Sequence, residues 1–285
     1  MGGCWVRPEL VRMREKFYGR LEQTRADDDV TRRAEEIALR GFTVICDCLT
    51  SSELAVWRKK IDEIYEQQEK ELGHDTLALI HELDVCRAPI LYDMDFIGLA
   101  THPKILAIVQ QLLGDGYILN LQNATILRPG IEHHQTSWHR DLPYQSCIAS
   151  QPLAINALLA IDEFSPETGG TQMVPFTHKA QVLPSDSYIK ENRITVSAPA
   201  GSAILFDSML LHRAGFNQSS VVRRSVNHLY TIPILKQQYD FARSLASRGP
   251  MLSPEVIQIL GFTSQVPLDD KAWRLERLAR LGIKV

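Results

Sequence analysis

The sequence predicts a mainly β fold with flanking helices. Three observations carry that expectation. From Tyr117 onward, short β-rich runs recur between turn clusters, at the spacing of a sandwich or barrel. Before that point, and again past residue 236, apolar residues recur at helical spacing. No internal repeat or linker divides the 285 residues, although that length equals about two average domains. One domain over 1–285 is expected, with a helical part about 1–115, a core about 117–235 and a helical tail about 236–285.

In chain order, Thr50-Ser51-Ser52-Glu53 is a capping-box pattern, and Leu54, Trp57, Ile61, Ile64 and Tyr65 follow on one helical face. Arg58, Lys59, Asp62 and Glu63 mark its solvated side. Residues Glu82 to Asp95 carry no clear period. A second helix starts near Thr101, has Pro103 in its first turn and stops at Gly114. Strands are expected at 117–127, 153–161, 171–174, 193–197, 203–206 and 224–232. The turns between them include Arg128-Pro129-Gly130, Ser165 to Gly170 and Pro199-Ala200-Gly201. Tail helices are expected at 238–246, 254–260 and 270–281. In the last of these, Trp273, Leu275, Leu278 and Leu281 fit either an intramolecular partner or a homodimer contact.

Composition narrows the function classes. With 45% hydrophobic and 23% charged residues the chain is globular, neither disordered nor fibrous. A net charge of −3 without a basic stripe argues against a nucleic-acid partner. No apolar run approaches the ~18 residues of a membrane span, and the longest, Leu153 to Ile161, is broken by Asn156. The N-terminus lacks an apolar signal-peptide core, and Val6 stands where a myristoylation signal has Ser or Thr. Five scattered cysteines (Cys4, Cys46, Cys48, Cys86, Cys147) form no CxxC pair and fit free thiols in a reducing cytoplasm. A cytoplasmic protein is expected.

Among nine histidines, His74, His81 and His102 fit surface or capping roles. His139 differs, because Asp141 follows two residues on, and alternate side chains of an extended segment share a face. Alone, that pair is as well explained as a satisfied polar pair at a strand end. His212 supplies the second half of a pattern, directly after an apolar run. Two histidines and a carboxylate form the facial triad that leaves positions open on non-haem Fe(II) for a 2-oxo acid and O2. The far carboxylate of such a co-substrate needs a buried fork-shaped cation, which Arg223 fits, with Ser225 two residues on.

The segments Ser137-Trp138-His139-Arg140-Asp141-Leu142-Pro143-Tyr144, Gly201-Ser202-Ala203-Ile204-Leu205-Phe206-Asp207 and His212 through Arg223 resemble the phytanoyl-CoA dioxygenase family. So do Pro166-Glu167-Thr168-Gly169-Gly170-Thr171 and Val174-Pro175-Phe176-Thr177-His178-Lys179. The resemblance runs from about residue 30 to 235 and implies a double-stranded β-helix (jelly-roll, cupin-like) core. It implies an Fe(II)- and 2-oxoglutarate-dependent dioxygenase that consumes O2 and hydroxylates a small-molecule metabolite, releasing succinate and CO2. By position, His139, Asp141 and His212 match the iron ligands and Arg223 the 2-oxoglutarate clamp, with Ser225 beside it and Gln122 approaching the co-substrate. Arg128 stands where many members have lysine, and Asn156 and Thr171 fall on inward strands. His133-His134 is expected to rim the mouth, and Arg224 to point away from Arg223. Retention of Asp141 argues against a halogenase. Two rival classes stay open, a cupin-like metal isomerase or epimerase and a non-catalytic jelly-roll binding protein. The first leaves Arg223 and Ser225 unexplained and lacks its His-x-His followed by Glu; retention of all four site positions speaks against the second.

Overall fold

The structure, a computed structural model, describes residues 24–142 and 148–283. Helix α1 (Asp29–Arg40) begins where Asp28 accepts from the Thr31 backbone N–H, and turns at left-handed Gly41 into β1 (Phe42–Ile45). Helix α2 (Ser51–Leu72) forms as its capping pattern requires, with Thr50 and Glu53 bonding each other reciprocally and Leu54, Ile61, Ile64 and Tyr65 buried. There follow α3 (His74–Leu79), β2 (Val85–Arg87), α4 (Phe96–Ala100) and α5 (Pro103–Leu113). The second half holds β3 (Ile118–Leu127), β4 (Ala154–Ala160), β5 (Gln172–Met173), α6 (Asp186–Asn192), β6 (Ile194–Thr195), β7 (Ala203–Asp207), β8 (His212–Arg213) and β9 (Arg223–Thr231). The tail carries α7 (Phe241–Ser244), α8 (Pro254–Ile259) and α9 (Asp270–Arg280).

The core is a six-stranded antiparallel sheet in the order β1-β7-β4-β9-β3-β2, faced by a three-stranded sheet β6-β5-β8. One face of the large sheet packs on helices, where Ala157, Leu159, Leu205, Val226 and Tyr230 meet Ile37, Ile61, Phe96 and Ile105. The other face looks between the sheets. Period-2 alternation therefore sorts each strand. On β9, Arg224, Val226, His228 and Tyr230 go to the helices, whereas Arg223, Ser225, Asn227 and Leu229 go to the cavity. Register carries the same parity across β3, where Asn123 opposes Asn227, Thr125 opposes Ser225 and Gln122 opposes His228. Arg224 binds Asp62 of α2 at 2.8 Å and Asp162 at 3.0 Å, bolting β9 to the helical layer and pointing away from Arg223 as expected.

The expectation of a mainly β chain is corrected: helices hold more of the described residues than strands. The excess comes from α1, α3, α4 and α6, whose signals are faint. The α1 capping box, for example, has Thr31 at its third position in place of Glu or Gln. Strands β5, β6 and β8 are only two residues long each. The helix expected at 238–246 shrinks to α7, which starts after the Asp240 cap and runs into a 3-10 turn containing Pro250. Helix α9 buries none of its residues. Among the described residues, no helix is long and apolar enough to cross a membrane. Cys48 and Cys86 are buried thiols, which burial pushes up to about 11 and about 12. Cys4, Cys147, Pro143 and Tyr144 lie outside the described residues.

Candidate active site

His139 and His212 are cross-strand neighbours. Each backbone N–H donates to the other's carbonyl, at 2.9 and 3.0 Å, so their rings stand side by side with centroids 4.4 Å apart. Asp141 follows on the same face, its backbone N–H held by the Ser208 carbonyl at 3.0 Å. Its carboxylate lies 3.5 Å from His139 Nε2 and 3.7 Å from His212 Nε2. The ligand atoms of all three residues fall within 4.8 Å of one another.

Three features fit a metal. Both histidines donate Nδ1–H to backbone carbonyls, His139 to Ser137 at 2.8 Å and His212 to Leu210 at 2.9 Å, leaving each Nε2 lone pair facing the cluster. Burial pushes the His212 imidazole down to about 4, so it is neutral near pH 7, the ligating form. Asp141 Oδ2 is buried without a hydrogen-bond partner, an orphan that a cation would satisfy. Two imidazoles and one carboxylate are the donor set of the facial triad.

Arg223 lies in the same cavity, 2% exposed. Its guanidinium donates to Ser225 Oγ at 3.3 Å and the Gly169 carbonyl at 3.2 Å, and its Cζ lies 4.2 Å from the Phe164 ring centroid. Its Nε has no partner, and it forms no ion pair among the described residues. Burial pushes its pKa down to about 9, against the weaker pull of Asp162. A buried cation without a counter-charge is costly, and an anion bound beside it removes that cost. Gly169 has φ +78°, and a Cβ there would come within 2.7 Å of the Gly215 carbonyl oxygen. The Gly169-Gly170 turn thus allows the close approach that delivers its carbonyl to Arg223.

The cavity measures about 640 Å³ and is also lined by Thr171, Ser225, Asn123 and Asn227. Of the residues expected from sequence, His139, Asp141, His212, Arg223, Ser225 and Thr171 therefore meet in one space. Gln122 does not join them, and its expected role is corrected. It is fully buried on the helix face, accepting from Ile90 N–H at 3.0 Å, donating to the Phe96 carbonyl at 3.0 Å and bonding His228 Nε2 at 2.9 Å. The parity of β3 puts its neighbour Asn123 in the cavity instead. Asn156 opposes the lining residues Phe206 and Leu229 on the cavity side of β4 and is fully buried, bonded to Asn227 and Ser208. His133 and His134 line a separate cavity of about 730 Å³ on the far side of their loop, whereas Gln135 and His139 line the first. Arg128 pairs with Asp84. Asn123, Asn227, Phe164 and the Phe206 ring, 4.7 Å from His212, escaped the sequence reading. The pleat relative to Arg223 is the signal that finds the two asparagines.

With this geometry established, comparison with known proteins is informative. Residues 37–225 match the family model of phytanoyl-CoA dioxygenase. An uncharacterized protein of Mycobacterium tuberculosis is 34% identical over 234 residues, covering 79% of this chain and 84% of that protein. A dioxygenase of Emericella variicolor is 26% identical over 61% of this chain and 63% of its own length. Among solved structures, the non-heme alpha-ketoglutarate-dependent epimerase SnoN of nogalamycin biosynthesis superposes with a TM-score of 0.54 at 22% identity, over 71% of this chain and 82% of that one. The carbocyclase SnoK of the same biosynthesis gives 0.56 at 18% identity, over 70% and 83%. These two show likeness of fold.

Proposed function

The chain belongs to the phytanoyl-CoA dioxygenase family, and on that premise we propose that it is an Fe(II)- and 2-oxoglutarate-dependent oxygenase that hydroxylates an unactivated C–H bond of a small-molecule metabolite. The observation that carries this reading is the pairing, in one cavity, of a His139–Asp141–His212 cluster with a buried Arg223 that has no counter-charge. The two antiparallel sheets that frame the cavity support a double-stranded β-helix core, working as a single unit over 1–285. The buried thiols Cys48 and Cys86 support a cytoplasmic setting.

His139, Asp141 and His212 would hold Fe(II), and Arg223 with Ser225 would hold the far carboxylate of 2-oxoglutarate. The chemistry these cofactors supply, when bound with O2, is oxidative decarboxylation to succinate and CO2 coupled to oxidation of the substrate. The protein's contribution is positioning. The carbonyls of Ser137 and Leu210 fix both imidazole tautomers, and the Ser208 carbonyl fixes the Asp141 backbone. Phe164 and Phe206 cover Arg223 and His212 with apolar surface, keeping water from the charged groups. Curated relatives from Aspergillus hancockii and Emericella variicolor are dioxygenases, which supports O2-dependent oxidation, and hydroxylation is the outcome proposed here. SnoN and SnoK are an epimerase and a carbocyclase, so one such fold hosts several reaction outcomes. A cupin-like isomerase would leave Arg223 and Ser225 unexplained, and a passive binding protein would leave the joint retention of His139, Asp141, His212 and Arg223 unexplained.

The test is anaerobic addition of Fe(II) and 2-oxoglutarate to metal-free protein, followed by visible spectroscopy. A weak charge-transfer band is expected in the wild type and is expected to need at least tenfold more 2-oxoglutarate in Arg223→Ala. Bound Fe(II) with no band at any 2-oxoglutarate concentration overturns the oxygenase reading.

A further inference from the structure

Resting on the oxygenase reading, one part of the cavity bears on what the enzyme acts upon. Asn227 sits two residues beyond Ser225 on β9, opposite Asn123 on β3, and both line the cavity. Directly opposed side chains of an antiparallel pair stand ~5 Å apart at Cβ. Each amide is held from behind. Asn227 Nδ2 donates to Asn156 Oδ1 at 3.0 Å, and Asn156 Nδ2 donates to Ser208 Oγ at 3.0 Å. Asn123 Oδ1 accepts from the Ala88 N–H at 3.2 Å and the Tyr239 hydroxyl at 3.2 Å. Each is left with one free edge. Asn227 Oδ1 is buried without a partner, and Asn123 Nδ2 makes no hydrogen bond within the described residues.

Most polar groups of the charged side chains around the cavity are, by contrast, already hydrogen-bonded within the protein. Arg87 forms a two-point pair with Glu82. Arg140 donates to the Thr177 and Ala180 carbonyls, and Arg213 bonds Gln172 and lies over Trp138. Arg223 is committed to the co-substrate. Asp141, a candidate metal ligand, is the one carboxylate in the described lining, and Lys236 there is exposed. Arg140, buried and without an ion pair among the described residues, is the one other buried cation of the lining, whereas the asparagine pair itself carries no charge.

We propose that Asn123 and Asn227 form the specificity pair of the cavity and that they select a neutral, hydroxyl-bearing hydrocarbon substrate. A hydroxyl donates to Asn227 Oδ1 and accepts from Asn123 Nδ2 at once. A carboxylate has no proton for the first, and an ammonium has no lone pair for the second. Leu121, Leu158 and Leu229 surround the pair and take the carbon skeleton. A site built to hydrogen-bond one group rejects analogues that lack it, because its own polar atoms are then left unpaired.

The experiment uses Fe(II)-loaded protein without O2, titrated by ligand-detected NMR with matched alcohol, carboxylate and primary amine derivatives of cyclohexane, decalin and adamantane. The titrations are run with and without 2-oxoglutarate, whose own Kd is measured in every sample. On at least one skeleton the alcohol is expected to bind tenfold or more tighter than its two congeners. Asn123→Leu and Asn227→Leu should each erase most of that preference while leaving the Kd for 2-oxoglutarate within twofold, which also reports an intact fold. Asn123→Asp, which places a carboxylate oxygen where the amide N–H stood, should turn the preference toward the amine. No alcohol preference on any skeleton, or a preference unchanged in the variants, overturns the assignment. Weakened 2-oxoglutarate binding in the leucine variants also overturns it, assigning the pair to the co-substrate. An alcohol preference in protein that binds no 2-oxoglutarate keeps the specificity pair and removes the oxygenase reading instead.

Discussion

The two faces of strand β9 are built to opposite rules. On the helix face every polar side chain is satisfied. Arg224 pairs with Asp62 and Asp162, His228 sits between Gln122 and the Ala157 carbonyl, and the Tyr230 hydroxyl donates to the Ala100 carbonyl at 2.7 Å. On the cavity face, Arg223 Nε and Asn227 Oδ1 are buried without partners, as is Asp141 Oδ2 across the same space. Protein interiors leave few polar atoms unpaired, and on β9 the orphans fall on the cavity face alone, where a bound ligand would complete them. A single residue step along one strand separates the groups that hold the fold from those that await other molecules.

The largest test of this contrast is Arg223→Met. Co-substrate affinity is expected to fall about 100-fold, or ~2.7 kcal/mol, while the free energy of unfolding holds or rises, because the cost of burying a charge without a counter-charge offsets its hydrogen bonds to Ser225 and Gly169. Parallel urea unfolding and 2-oxoglutarate titration check it; a stability loss above about 1 kcal/mol would merge the two faces. The neighbouring Arg224→Met should do the reverse. Stability should drop by about 1–2 kcal/mol, a figure kept low because Asp62 is 39% exposed and screened by solvent. Co-substrate affinity should stay within twofold.

The smallest effect concerns acid. Burial pushes His228 down from 6.5 to about 4. Its Nε2 faces the Gln122 amide N–H, which a protonated ring could not accept from. The unfolded chain therefore takes up this proton near pH 6.5 while the folded chain refuses it until about pH 4. Stability from this site is whole above pH 6.5 and declines as pH falls toward 4. His228→Gln should cost about 1 kcal/mol at pH 7.5 and make urea midpoints at pH 7.5 and 5.0 draw closer than in the wild type. His133, pushed by burial to about 4, supplies part of the slope that remains.

The parts legible from sequence were those whose signals are local. Helix α2 was announced by Thr50 and Glu53, α5 by Pro103 and Gly114, and β3, β4, β7 and β9 by their β-rich runs. That His139, Asp141, His212 and Arg223 gather in one cavity was legible because few residue types suit the metal and carboxylate chemistry expected of them. Gln122 misled because it was placed by its position in the family pattern, whereas the face of a strand residue depends on its partner's register. The shift between Leu119 and Leu121 in β3, at Asn120, breaks any parity counted from the start of the strand. Once Arg223 is placed in the cavity, the pairing of β3 with β9 decides for Asn123. The two-residue strands β5, β6 and β8 exist through what they pair with, and no local composition foretells them.

The reciprocal backbone rungs between His139 and His212 have a consequence best put in the vocabulary of coordination chemistry. They hold the two imidazoles at a spacing set by the sheet, as a preformed chelate would require, independent of the contour length of chain that joins them. Within that intervening chain, the stretch around the outlying helix α6, which buries none of its residues, is therefore the part that can be lengthened, shortened or exchanged without changing the spacing of the two rings. A scaffold with such a decoupled bite can acquire new substrates by loop replacement alone, its inorganic centre inherited intact.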